Sequence, residues 1–152
     1  MSTRVKISTE AISIAIDNLE AKNLKNGLKA ALRRCLSPIR KAAINNYKAS
    51  FPGSQKWRGI FLSYDRDGLG GSVAIVPRKK GARQKAIEEE YKTWVLPIIE
   101  RGTNVRKTEK GYNRGIMPKK PFFVPAKAAM PNVAQTFAEE LKKEFEKRMN
   151  NQ

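Results

Sequence analysis

The stretch 57-WRGIFLSYDRDGLGGSVAIVPR-78 decides how this chain is read, because two β-prone runs flank a segment built of turn residues. WRGIFLSY and GSVAIVPR are rich in aromatic and branched side chains. DRDGLGG between them offers Asp67-Gly68 and Gly70-Gly71, pairs suited to the positive φ angles of a hairpin turn. An antiparallel hairpin is expected here, and the sequence on either side of it follows a different period.

Upstream, 23-NLKNGLKAALRRCLSPIRKAAINNYK-48 contains no acidic residue and places Leu24, Leu28, Ala31, Leu32, Cys35, Ile39, Ala42, Ala43 and Tyr47 at steps of three and four. That spacing predicts a helix with one apolar face. Lys22, Lys25, Lys29, Arg33 and Arg40 gather on another face. Asn23 is the expected N-cap, and Pro38, which removes a backbone donor, is expected to kink or split the helix near Ser37. Phe51-Pro52-Gly53 should end it. Nearer the N-terminus, Ser8 or Thr9 is expected to cap a shorter helix bearing Ile12, Ile16 and Leu19, although ISIAI also alternates as a strand does.

Downstream, a basic loop, RKKGARQK, leads to IEEEYKTWVLPII, which is expected to begin as a helical turn and finish as a strand, with Pro97 at the strand end. The last element, VAQTFAEELKKEFEKRM, is a helix with Val133, Phe137, Leu141, Phe145 and Met149 at steps of four, capped by Asn132. The order helix, hairpin, strand, helix predicts an α+β fold. In it a small antiparallel sheet is packed by a long N-terminal helix and a C-terminal helix, as one domain over residues 1–152.

Lys and Arg number 31 against 14 Asp and Glu, a net charge of +17, so polyanions are the expected neighbours: nucleic acid, an acidic protein surface or an anionic membrane face. No apolar run reaches the roughly 18 residues of a membrane span, and MSTRVKISTE lacks the apolar core of a signal peptide. Assembly in a cytosol, away from membranes, is expected.

Histidine is absent, which removes the commonest general base and metal ligand. The single cysteine, Cys35, lies on the apolar face of the long helix, where a thiol is ordinarily a packed side chain. Asp65 or Asp67 with Glu90-Tyr91-Lys92 outlines an acidic-x-Lys pair of the kind a magnesium-dependent nuclease carries on a strand. The Glu88-Glu89-Glu90 run also reads as a charged face beside a basic loop. No catalytic residue, cofactor or metal is therefore expected. A free basic nucleic-acid-binding protein is one reading of this composition, and the nuclease comes after it.

Residues 104–120 have no core pattern and carry Arg106, Lys107, Lys110, Arg114, Lys119 and Lys120. This composition predicts a flexible basic arm that orders on a partner. Gly102 permits a sharp exit into the arm and Thr103 can bond nearby backbone. Tyr112 and the Phe122-Phe123 pair are the aromatic groups nearest to it.

The arm is bracketed by IIERGT and PFFVPA, and with the basic-apolar helix upstream these segments resemble the neck and tail-completion, or tail-component, family of long-tailed double-stranded DNA phages. Members of that family carry an apolar strand ending in Glu-aromatic-Gly-Thr, a variable loop, and Pro-Phe-x-x-Pro-Ala opening the final helix. Glu100, Gly102 and Thr103 match the first motif, with Arg101 in place of the aromatic; Pro121, Phe122, Pro125 and Ala126 match the second. The resemblance implies a non-enzymatic virion protein of the head–tail junction, assembled in the host cytoplasm. Its implied partners are other copies of itself in a ring, hexameric if the family pattern holds, neighbouring neck and tail proteins, and packaged DNA. Glu100 through Thr103 and the arm cations are the expected assembly interface. Phe122 is expected to pack under the terminal helix and fix the point from which the arm departs.

Overall fold

The computed structural model describes residues 2–6, 21–65, 70–75, 81–130 and 132–150. The expected helix over Ile12, Ile16 and Leu19, the Asp67-Gly68 turn pair and the side chain of Lys22 lie outside the described residues. The fold is α+β, as the alternation of periods predicts. A strand β1 (Ser2–Lys6) is followed by helix α1 (Ala21–Ser50), strands β2 (Phe61–Tyr64) and β3 (Gly70–Ala74), and helices α2 (Ala82–Tyr91), α3 (Leu96–Arg101), α4 (Phe123–Ala128) and α5 (Val133–Met149).

Helix α1 is the hub. It packs against α5, α4 and the sheet, burying Leu28, Ala31, Leu32, Cys35, Leu36, Ile39, Ala43 and Tyr47 along one stripe. Two expectations about it are corrected. Of the two outcomes expected at Pro38, a kink or a split, the split does not occur, because 30 residues run through as one helix. A proline deletes a single helical hydrogen bond, and here the apolar stripe is buried on both sides of the defect. Asn23 is not the cap either, since the helix already includes Ala21.

The hairpin forms as expected, with Phe61 opposite Ala74 and Tyr64 opposite Gly71. Its glycines act differently from the expectation. Gly70 and Gly71 lie within β3 instead of the turn. A Cβ on Gly71 would sit 3.1 Å from Leu36 Cδ1 and from the Ser63 carbonyl, so glycine there lets α1 close onto the sheet. The sheet also has a third strand that the sequence reading did not assign: β1 pairs antiparallel with β3, giving the order β1-β3-β2. WRG belongs to a 3-10 turn, Lys56–Gly59, ahead of β2.

The largest correction concerns residues 87–99. No strand forms there. Helix α2 stops at Lys92, whose backbone is left-handed (φ 51°), and the chain passes through a 3-10 turn, Thr93–Val95, into α3. Pro97 sits in the first turn of α3, where its missing N–H leaves no bond unmade. Leu96, Ile99 and Glu100 are buried at the i, i+3, i+4 spacing of a helix. Gly59 makes this packing possible, because a Cβ there would lie 2.5 Å from Thr93 Cβ.

At the other end of α1, Glu144 of α5 is buried between two arginines. Arg148 Nη2 lies 2.9 Å from Oε1 and Arg34 Nη1 lies 3.0 Å from Oε2, the latter an ion pair without hydrogen-bond alignment. Gly27 faces Arg148, where a Cβ would lie 3.3 Å from Nε, a tight contact that the arginine side chain would have to yield to slightly. Cys35 is buried on the same side and donates its thiol to the Val133 carbonyl at 3.4 Å. Burial pushes that thiol up to about 11, so it is a neutral packed group.

Candidate assembly interface

The segments on either side of the arm meet in space. Glu100, in the last turn of α3, is 1% exposed, and its carboxylate faces the start of α4. Oε2 accepts the amides of Phe122 (2.8 Å) and Phe123 (3.0 Å), and Oε1 accepts that of Val124 (2.9 Å). A helix begins with backbone N–H groups that lack intrahelical partners, and a carboxylate there is favoured by both hydrogen bonding and the local dipole. No residue next to α4 in sequence supplies a side-chain cap, so Glu100 caps it from 22 residues away. This corrects the expectation for Glu100: its carboxylate is committed inside the fold and does not present itself to a partner.

Phe122 is fully buried. Its ring meets Tyr47 of α1 edge-on, with centroids 5.2 Å apart, and Asn46 Nδ2 donates to its carbonyl at 3.1 Å. The aromatic partner is thus on the long helix, where the sequence reading placed it under the terminal one. Ala126 is buried in the same layer, whereas Pro121 and Pro125 are exposed. Asn46 was not singled out from sequence, and its only signal was a polar residue beside the apolar stripe of α1.

Gly102 and Thr103 close the base of the arm. Gly102 has φ 74° and ψ −178°, a conformation reserved for glycine, and a Cβ there would lie 2.9 Å from the Lys119 amide nitrogen. Thr103 is bonded twice to Met117: its amide donates to the Met117 carbonyl (3.0 Å), and its hydroxyl accepts the Met117 amide (2.9 Å). Lys120 N donates to Ile99 O at 3.0 Å. These bonds tie the outgoing and returning chains together before the arm leaves the domain.

The arm itself is a hairpin, a form that the expectation of a flexible basic arm did not include. Lys107 and Asn113 form an antiparallel bridge, with Arg114 N donating to Arg106 O and Thr108 N to Tyr112 O on either side of it. Thr108 to Gly111 make the tip: Gly111 N donates to Thr108 O, Gly111 has φ 80°, and the Thr108 hydroxyl accepts the Tyr112 amide. A turn closed by a left-handed glycine is a standard three-residue hairpin connection. Arg114 and Gly115 both bond Arg106, a bulge that Gly115 accommodates with φ 76°.

Arg106, Lys107, Lys110 and Arg114 are exposed, as are Arg101, Lys119 and Lys120, the last with its ammonium 5.1 Å from the Phe51 ring centroid. Tyr112 is 70% exposed, and Val105 and Ile116 also stand in solvent. The second expected site, the basic face of α1, is partly absorbed by the fold. Arg40 Nε donates to the Ile60 carbonyl at 2.7 Å, and burial lowers its pKa; Lys29 lies 5.4 Å from the Tyr64 ring centroid. Lys25 and Arg33 are exposed on the same face. Arg40 and Lys29 thus brace α1 against β2 and its approach.

The acidic-x-Lys pair is also re-placed. Glu90 is exposed on α2 and Lys92 follows its end, so the pair enters no strand, and Asp67 lies outside the described residues. Among the described residues no group of three or more Cys, Asp or Glu is arranged to hold a metal, and no helix is long and apolar enough to cross a membrane. No protein-family model, curated protein or solved structure matches this chain.

Proposed function

We propose that this chain is a structural subunit of a phage virion, forming a ring at the head–tail junction and acting in tail completion and head–tail joining. One observation carries the reading. The two motif segments on which the phage resemblance rests, Glu100-x-Gly102-Thr103 and Pro121-Phe122-x-x-Pro125-Ala126, bond directly to each other through Glu100 and present an exposed hairpin from a fixed base. A rigid body with a projecting arm suits heterologous assembly, in which an arm of one copy engages a surface of the next until the ring closes. The partners in this reading are other copies of the chain, neighbouring neck and tail proteins, and the DNA threaded through the junction. No catalytic step is assigned to it.

A free basic nucleic-acid-binding protein is the second reading, favoured by the exposed cations of the arm. Native mass spectrometry and negative-stain microscopy of the purified chain separate the two. A closed cyclic oligomer is the expected result; a monomer at every concentration, with no ring when tail or neck proteins are added, overturns the subunit assignment.

A further inference from the structure

The bridge between Lys107 and Asn113 fixes which residues of the arm share a face. Cross-strand partners point the same way and successive residues alternate, so Arg106, Arg114, Thr108 and Tyr112 project from one face of the ribbon and Lys107 from the other. Lys110 stands at the tip. Cations therefore leave the ribbon on both faces and at its end, and the only acid between Arg101 and Lys127 is Glu109. None of Arg106, Lys107, Lys110 and Arg114 forms an ion pair with a described residue.

A flat acidic protein surface engages one face of a ribbon and leaves the other in water. A duplex groove places phosphates on both sides of whatever enters it. The major groove is about 12 Å wide and admits a two-stranded ribbon, whose strands lie roughly 4.8 Å apart. We propose that the 103–117 hairpin is a duplex-DNA-binding ribbon, with Arg106, Arg114 and Lys107 on the phosphates of the two groove walls and Lys110 leading. The contact is to backbone, so it is independent of base sequence. The proposal deepens the reading above by giving the arm a contact beside the neighbouring copy, the DNA threaded through the junction, and the two fail separately: a ring without DNA affinity removes only this inference, and a DNA-binding monomer removes only the ring.

The test is binding of the intact chain to a labelled DNA duplex by fluorescence anisotropy across a salt series. Each phosphate contact contributes about 0.9 to the slope of log affinity against log salt. Replacing Arg106, Lys107, Lys110 and Arg114 together by Ala should lower the slope by about 3 to 4, and should remove roughly a hundredfold of the affinity change between about 50 and 200 mM salt. A matched variant with Lys41, Lys127, Lys142 and Lys147 replaced by Ala, all exposed and outside the arm, should keep the native slope. An equal loss of slope in the matched variant means diffuse charge and overturns the proposal, as does competition by polyglutamate as strong per charge as that by duplex. Tighter binding to a single strand, lost on Tyr112→Ala, would make the tip a stacking platform and overturn the groove geometry.

Discussion

Glu100 Oε2 accepts the Phe122 amide at 2.8 Å, so a side chain at the end of one short helix supplies the cap of another whose N-cap residue lies 22 residues later. The bond spans the whole arm. Its consequence is that the arm's direction is set by the domain core, through Phe122 on Tyr47 and Glu100 under α4.

Glu100→Ala should destabilise the domain severely. The Phe122 and Phe123 amides would be left in the interior without acceptors, and each orphaned buried donor costs about 1–3 kcal/mol. Glu100→Gln keeps the volume but turns an NH2 toward one of the three amides, so an intermediate loss is expected. Urea midpoints would order the proteins native, Gln, Ala at similar m values. A midpoint for Glu100→Ala equal to native would show that the carboxylate does not hold α4.

Phe122→Ala should cost about 3–5 kcal/mol, the usual range for a fully buried ring, and should lower the melting temperature and the yield of assembled oligomer together. Tyr47→Phe, which keeps the ring and loses only the hydroxyl bond to Ser54 at 2.9 Å, should cost far less. Equal losses from the two would mean that the aromatic contact is not the anchor.

Arg106→Ala combined with Lys107→Ala should leave the melting temperature nearly unchanged, because exposed side chains away from caps and cores usually change stability by less than about 0.5 kcal/mol. Assembly should weaken. Loss of folding in this variant would show that the arm is part of the domain's stabilising structure and not a projecting contact.

How much of this was legible beforehand varies with the physics of each element. Helix α1 was readable because nine apolar residues keep one period over seven turns, a signal strong enough to override Pro38. Residues 87–99 were misread because TWVLPII is a short apolar run, in which buried strand and buried helix look alike. The spacing of Leu96, Ile99 and Glu100 held the answer, but only if a carboxylate is counted as buried. The pairing of β1 with β3 depends on chain segments about 70 residues apart, beyond any local pattern. The hairpin form of the arm was hidden for the opposite reason: with both faces in solvent it has no apolar alternation, and only Gly111 and Gly115 marked its tip and bulge. The partner of Glu100 could not be read from sequence at all, since backbone amides carry no sequence signature.

Cys35 gives a prediction in pH. Burial raises its thiol from 9.0 to about 11, so as pH climbs through this window the unfolded chain releases the thiol proton while the folded chain retains it. Stability from this group is intact below pH 9 and falls progressively toward pH 11. Cys35→Ala should flatten that part of the stability curve, and the native thiol should react with a disulfide reagent only at the rate of opening. Rapid labelling of folded protein near neutral pH would contradict the burial of the group.

The proposed ring at a head–tail junction can be looked for in a cryo-electron microscopy reconstruction of phage particles assembled in the presence of this chain. A closed ring of its density between head and tail is expected, with the 103–117 hairpins ordered against neighbouring chains or the DNA path. Particles whose junction is complete without density for this chain, with the protein recovered only free or on nucleic acid, would contradict it.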